Sequence, residues 1–168
     1  GKDATFAQKT LSAYAFDTEW LRWSAELNTD SVLNMESLLG ELLGERMGRT
    51  ANTALTTGSG SSAVEGIVTG SSLGKTAAAT AAITSDEILD LIHSVDPAYR
   101  ASPRTAIMMN DSTLSAVRKL KDGNGNYLWA MGNYQAGVPA SLLGYNVVIN
   151  QAMDSLATAK KVMIFGDM

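Results

Sequence analysis

The sequence predicts an α+β fold in which one long helix precedes a mixed sheet flanked by shorter helices. From Met35 to about Leu55 the apolar residues Met35, Leu38, Leu39, Leu42, Leu43, Met47, Ala51 and Ala54 recur at steps of three and four, laying one apolar stripe along a helix. Further along, short β-rich runs are interleaved with capped helices, but without the regular βαβ beat of a doubly wound sheet. With 168 residues and 45% hydrophobic content, the chain can bury a real core and has the size of one large or two small domains.

At the N-terminus, Ala4 to Trp23 carries Phe6, Tyr14, Phe16, Trp20 and Trp23 among Thr and Ser, a composition that favours one long strand or two. Trp20, Trp23 and Leu27 also fit a helical face, so the segment Ser24 to Leu27 could turn helical. In either form both tryptophans are expected in a core rather than as a ligand platform. In the long helix, Glu45 and Arg49 stand one turn apart with the acid N-terminal, the favourable orientation. Gly40, Gly44 and Gly48 recur every fourth residue beside the leucines, and each costs about 1 kcal/mol relative to Ala in a helix interior. Glu41, Glu45, Arg46 and Arg49 on the same helix exclude the membrane reading of such a ridge. What remains is close approach of another backbone, or a helix built to bend.

The helix is expected to end in TGSGSS, Thr57 to Ser62, after which a charge-poor stretch of Ala, Thr, Gly and Ser follows. This shift places a domain boundary between residues 1–57 and 58–168. Thr84 with Glu87 three residues on forms a capping box for a helix whose apolar face is Ile88, Leu91, Ile92 and Val95, and Pro97 is expected to close it. Ala106 to Met109 reads as a short buried strand, Asn110 or Asp111 caps a helix carrying Leu114, Val117 and Leu120, and Asp122-Gly123-Asn124-Gly125 is a turn. Strands around Val147 to Ile149 and Val162 to Phe165 complete the pattern.

The composition excludes several function classes. A formal charge of −4 and a pI near 4.9 argue against a free-standing nucleic-acid binder, which needs surplus Lys and Arg. No apolar run approaches the roughly 18 residues of a membrane span, and GKDATFAQKT lacks the apolar core of a secretory signal, so a soluble protein made in the cytoplasm is expected. Without cysteine, disulfides and thiolate metal sites are out of consideration. Gly70-Ser-Ser-Leu-Gly74-Lys75-Thr76 resembles a phosphate-binding loop but is one residue short between its glycines, and no strand ending in Asp is evident to hold magnesium. Gly58-Ser-Gly60 through Gly66 follows a helix where a dinucleotide fingerprint must follow a strand. His93 has no second ligand at metal spacing and reads as a surface or satisfied histidine, while Asp86, Glu87 and Asp90 favour the N-terminal end of their helix dipole. No catalytic residue, metal site or cofactor is assigned. The candidate functional residues are instead structural. Asp122, Asn124, Tyr127, Trp129 and Tyr134, on a glycine-rich loop, are candidate subunit-interface residues, with a core role equally open for Tyr127 and Trp129. Gly40, Gly44 and Gly48 are candidates for helix flexing or close packing.

Several segments in a shared order resemble the HK97-type major capsid proteins of tailed bacteriophages. AELNTDSVLNMESLLGELLGERMGRTANTALTTGSG is similar to the long spine helix of that family's peripheral domain and the glycine turn that leaves it. MNDSTLSAVRKLKDGNGNYLW and GVPASLLGYNVVIN resemble the core of its axial domain, and VMIFGDM its next strand. Val64 and Asn146 stand where the family often has proline, and both positions concern turns. The resemblance implies an HK97-like fold, with residues 1–57 as part of the extended loop and peripheral domain and 58–168 as an axial domain incomplete at its C-terminus. It implies a structural subunit of an icosahedral capsid, assembled in the bacterial host cytoplasm from copies of itself around fivefold and sixfold axes, enclosing DNA indirectly, with no cofactor, membrane or turnover. The family's N-terminal arm, the rising half of its extended loop and everything after Met168 have no counterpart here, so the chain by itself is expected to be a monomer or small oligomer. The alternatives are an encapsulin-type nanocompartment shell and, in a different class, a small nucleotide-binding enzyme using the Gly70–Thr76 loop.

Overall fold

In a computed structural model of the chain, the described residues are 13–17, 20–22, 24, 26, 34–129 and 141–168. They fall into two units, Gly1–Gly66 and Ile67–Met168.

The first unit is built on helix α1, Met35–Thr57. The Asn34 side chain caps it by accepting from the Ser37 amide at 3.2 Å, and Glu36 lies in the first turn, where a negative charge meets the positive end of the helix dipole. Met35, Leu39, Leu43, Ala51 and Ala54 of the expected stripe are half-buried, whereas Leu38, Leu42, Met47 and Leu55 remain exposed. Glu45 and Arg49 form the expected ion pair. In the second half, the hydroxyls of Thr50, Thr53, Thr56 and Thr57 each donate to the carbonyl four residues back, a pattern that tends to bend a helix. The turn leaving α1 depends on two glycines. The Gly58 amide donates to Ala54 O at 2.9 Å, and the Gly66 amide returns to Gly58 O at 3.0 Å. A Cβ on Gly58 would collide with the carbonyl oxygens of Val64 and Ala54, and one on Gly66 would lie 2.6 Å from Thr56 O.

The expected N-terminal strand or strands between Ala4 and Trp23 find no support at residues 13–17 and 20–22, which pair with no strand among the described residues; the rest of that span lies outside the described residues. Trp20 departs from expectation as well: it is 95% exposed, because no described layer covers it. Trp23 lies outside the described residues.

The second unit runs α2 (Ile67–Gly70), α3 (Ser85–His93), α4 (Pro97–Arg100), β1 (Thr105–Met109), α5 (Asp111–Arg118), β2 (Ser141–Leu142), β3 (Tyr145–Ile149) and β4 (Met163–Asp167). The capping box on α3 forms as expected, with Thr84 Oγ1 accepting from the Glu87 amide and the Glu87 carboxylate accepting from the Thr84 amide. Pro97 does not close this helix. Helix α3 stops at His93, with Ser94 as its C-cap, and Pro97 opens α4 behind an Asp96 cap, because proline lacks only an N–H that a first turn leaves unpaired anyway. Asn110, rather than Asp111, caps α5 by accepting from the Ser112 amide at 2.9 Å.

The strands form one mixed sheet in the order β2-β3-β1-β4. Central strand β1 is parallel to β3, with Ile107 opposite Val147, and antiparallel to β4, with Ile107 opposite Phe165. Helix α5 supplies the crossover that a parallel pair needs. The two-residue strand β2 was not anticipated from the sequence; Leu143 (φ 53°) and Gly144 (φ 87°) turn it back onto β3, as tight hairpin turns require. Side chains then sort by the pleat. Ile107, Met109 and Phe165 meet Ile88 and Ile92 of α3, Leu114 and Val117 of α5, and Leu142, whereas Ile164 and Met108 meet Val68 and Met153 in a smaller cluster.

Within the larger core, the Thr113 hydroxyl is fully buried with no hydrogen-bond partner among the described residues. Thr113→Val removes that unsatisfied group at nearly constant shape and should raise stability by about 1 kcal/mol, read as a higher urea midpoint with unchanged m. A lowered midpoint would mean that the hydroxyl is satisfied after all.

Candidate functional site

Four of the five candidate interface residues lie on one compact hairpin that continues from α5. The Leu128 amide donates to Leu120 O at 2.9 Å, the Asp122 amide donates to Asn126 O at 2.8 Å, and Lys121 and Tyr127 form an isolated antiparallel bridge. Gly125, at φ +85°, supplies the left-handed residue at the tip. Asp122 organises the turn: its carboxylate accepts from the Asn126 amide at 2.8 Å, the Asn126 side chain at 3.1 Å and the Asn124 amide at 2.9 Å. These donors, the Asn126 amide first, hold the Asp122 carboxyl below its ordinary value. Each aromatic residue carries a cation. Lys121 Nζ lies 4.8 Å from the ring centroid of Tyr127, which is 51% exposed, and the Arg118 guanidinium lies 5.2 Å from the Trp129 ring. Trp129 is half-buried and packs against the larger core, while Asn124 stands exposed at the tip. Tyr134 lies outside the described residues. The cations at 118 and 121 were missed as members of this group, although their spacing around the aromatic residues was present in the sequence.

Gly40, Gly44 and Gly48 occupy a different setting. All three are exposed, and a Cβ built on any of them meets nothing within 4 Å.

The Gly70–Thr76 loop is a strap docked on α3 rather than a phosphate cradle. Lys75 Nζ is 2.5 Å from Asp90 Oδ2, and this hydrogen bond and charge hold the lysine above its ordinary pKa. A Cβ on Gly74 would lie 2.5 Å from Ser94 Oγ, so the strap approaches the helix as only glycine allows. Beyond it, Glu87 accepts from the Ala78 amide at 2.6 Å as well as from its own N-cap, which lowers its pKa. Strap, α3 and residues 157–165 line a groove of about 730 Å³. Its other cations are also engaged: Lys161 donates to Val68 O and Ser71 O, and Lys160 pairs with Asp154. His93 Nδ1 lies 3.0 Å from Arg100 Nη1, which accounts for the lone histidine. Among the described residues no three His, Cys, Asp or Glu side chains gather as a metal site, and no helix is long and apolar enough to cross a membrane.

Comparison with known proteins gives a consistent result. The model of the phage capsid family matches residues 1–168. Among solved structures, the chain is similar to the capsid of an empty GTA particle, with 32% identity and a TM-score of 0.74 over 86% of this chain and 53% of that one. It is likewise similar to the capsid of a native GTA particle, with 30% identity and a TM-score of 0.75 over 86% of this chain and 52% of that one. The chain thus spans about half the length of the capsid chains it matches. No curated protein sequence matches it. Nothing in these similarities favours a nanocompartment shell or a nucleotide-binding enzyme.

Two predictions arise from these sites. Because the Asp122 pKa is depressed in the folded hairpin, its stabilising effect is present above the ordinary carboxylate value and lost as pH falls through the folded value. Protection of the Asn126 amide against hydrogen exchange should therefore fall as pH drops below the ordinary carboxylate range and be low at every pH in Asp122→Ala. A flat profile, equal in both proteins, would contradict this. Replacing Gly40, Gly44 and Gly48 with Ala should raise the thermal midpoint of the subunit, each change contributing about 0.5–1 kcal/mol, since the added methyl groups meet open space.

Proposed function

Since the chain belongs to the phage capsid family along residues 1–168, we propose that it is a structural subunit of an icosahedral phage-type capsid, repeated around fivefold and sixfold axes to enclose DNA. The observation that carries this reading is the family match over the whole chain. The HK97-like α+β fold supports it. Residues 1–57 then contribute to the extended loop and peripheral domain, with α1 as the spine helix, and 58–168 form the axial domain.

The physical features described above fit a building block. The cations of the strap and groove are held by carboxylates or main-chain carbonyls, so their charge serves cohesion. The protein does no turnover in this reading, and DNA is enclosed without base recognition, consistent with a formal charge of −4. Shells form in the bacterial host cytoplasm, and the virion capsid is the final location. The hairpin bearing Asp122, Asn124 and Tyr127 faces a neighbouring subunit, and the glycine ridge of α1 allows the helix to bend or to be approached closely.

Expression of the full-length gene product in bacteria followed by electron microscopy is the test, and closed, DNA-sized shells are the expected result. Persistent failure to form any ordered particle across salt and pH would count against the proposal. In the same assay, the triple Gly→Ala variant should give folded subunits that assemble or expand poorly. Normal particles from that variant would show the ridge to be incidental.

A further inference from the structure

Charge in the second unit is unevenly distributed, and most of its cations are already held. Arg104 is paired with Asp167, Lys75 with Asp90 and Lys160 with Asp154, while Lys161 is held by carbonyls. Arg118, Lys119 and Lys121, at the base of the hairpin, are exposed and have no carboxylate partner among the described residues. Asp122 beside them accepts from Asn124 and Asn126 and offsets one of these charges, which leaves the group net positive. Beside these cations stand the half-exposed side chains of Tyr127 and Leu128. The surface is a cationic patch with an apolar centre, a composition favoured where protein meets protein.

The complementary surface is the outer face of α3. Asp86 lies three and four residues before Leu89 and Asp90, His93 lies four and three after them, and all four are exposed. With Glu87, three carboxylates lie within five residues, beside two cations, Lys75 paired with Asp90 and Arg100 lying 3.0 Å from His93 Nδ1. Asp86 has no cation partner among the described residues, and Leu89 supplies an exposed apolar side chain. Helix α1 also carries acids, but Glu36, Glu41 and Glu45 are spread over ten residues and stand with Arg46 and Arg49. Duplex DNA suits the hairpin less well than an acidic protein face, because three cations on a chain of net charge −4 offer few phosphate contacts.

We propose that the cationic hairpin of one copy docks on the acidic outer face of α3 in a second copy. The inference rests on the shell-subunit reading, which supplies the second copy. Donor and acceptor surfaces differ, so the contact is heterologous, and repetition of such a contact closes a ring when the rotation between copies allows it. Lys119 and Lys121 meet Asp86, which has no cation partner among the described residues, and Tyr127 and Leu128 cover Leu89. Exposed charges of this kind chiefly set orientation and encounter rate, so the contact weakens as salt rises.

Sedimentation velocity of the protein at low and moderate salt tests the contact. Lys119→Glu/Lys121→Glu should weaken self-association about tenfold or more, and Asp86→Lys should weaken it in the same direction. A chain carrying all three changes restores opposite charge across the interface and should recover most of the association. Circular dichroism and thermal melts identify any variant that loses its fold, and Lys119→Gln/Lys121→Gln then provides a milder replacement with a smaller effect in the same direction. Unchanged association in the reversed hairpin, or no recovery in the triple variant, would overturn the proposal. So would loss of duplex-DNA binding, followed by fluorescence anisotropy, in a hairpin variant whose self-association is intact. Shells that form normally from the reversed hairpin would refute this contact while leaving the capsid reading standing. Absence of shells from the unchanged full-length gene product counts against that reading instead.

Discussion

The two-sided burial of β1 is the constraint on which the second unit depends. Ile107 and Met109 point to one face of the sheet and are fully buried, while Met108 between them faces the other. A strand buried this way needs hydrogen-bonded neighbours along both edges, supplied here by β3 and β4, and an apolar layer on each face. Helices α3 and α5 cover one face, while Val68 and Met153 cover the other. Burying a side chain of this size contributes roughly 1.5–3 kcal/mol, so β1 together with Phe165, Leu114 and Ile92 supplies much of the cohesion. The link from core to surface is short. Asn110, directly after β1, caps α5 and donates to the carbonyls of Gln151 and Met153, and α5 then leads into the cationic hairpin.

The first unit illustrates the opposite condition. Helix α1 runs 23 residues with only Thr56 buried, although its sequence carries a full apolar stripe. Three glycines in one half and four back-bonded threonines in the other reduce its intrinsic stability and stiffness. Most helical stability in proteins comes from packing an apolar face against something else. With Leu38, Leu42 and Met47 exposed, much of that apolar stripe has no such cover among the described residues.

Local hydrogen bonding builds both surface features of the second unit. In the hairpin, one carboxylate gathers three donors from the next four residues and thereby sets the path on which Tyr127 and the cations are displayed. In the strap, the Lys75–Asp90 pair and the Glu87–Ala78 bond fasten an Ala- and Thr-rich segment that has few apolar side chains of its own to bury. Neither device requires a cofactor to hold its shape.

Periodicity and capping chemistry were sufficient to locate α1, α3, β1, α5 and the Asp122 turn, because each depends on residues within a few positions of one another. The stripe from Met35, the Thr84–Glu87 box and Asn110 ahead of Leu114 all state their structure locally. The same reasoning misassigned Pro97, which can stand either after a helix or at the start of the next, a choice decided by the Asp96 cap and the path of the following turn. It could not find the two-residue β2, whose only warrant is pairing with β3, nor show that Trp20 would be left uncovered, since burial is a property of what other segments bring near. For the candidate site, the glycine spacing and the aromatic loop were legible, but the stacking of Arg118 and Lys121 on Trp129 and Tyr127 was not. Lys75 shows the same division most plainly. Its sequence neighbours suggest a phosphate loop, and only the fold, by placing Asp90 2.5 Å from its ammonium group, turns it into a structural tie. Short-range hydrogen bonding and helical period are encoded within a few residues, whereas pairing, exposure and charge partnership are set by segments far apart in the chain that only the tertiary fold brings together.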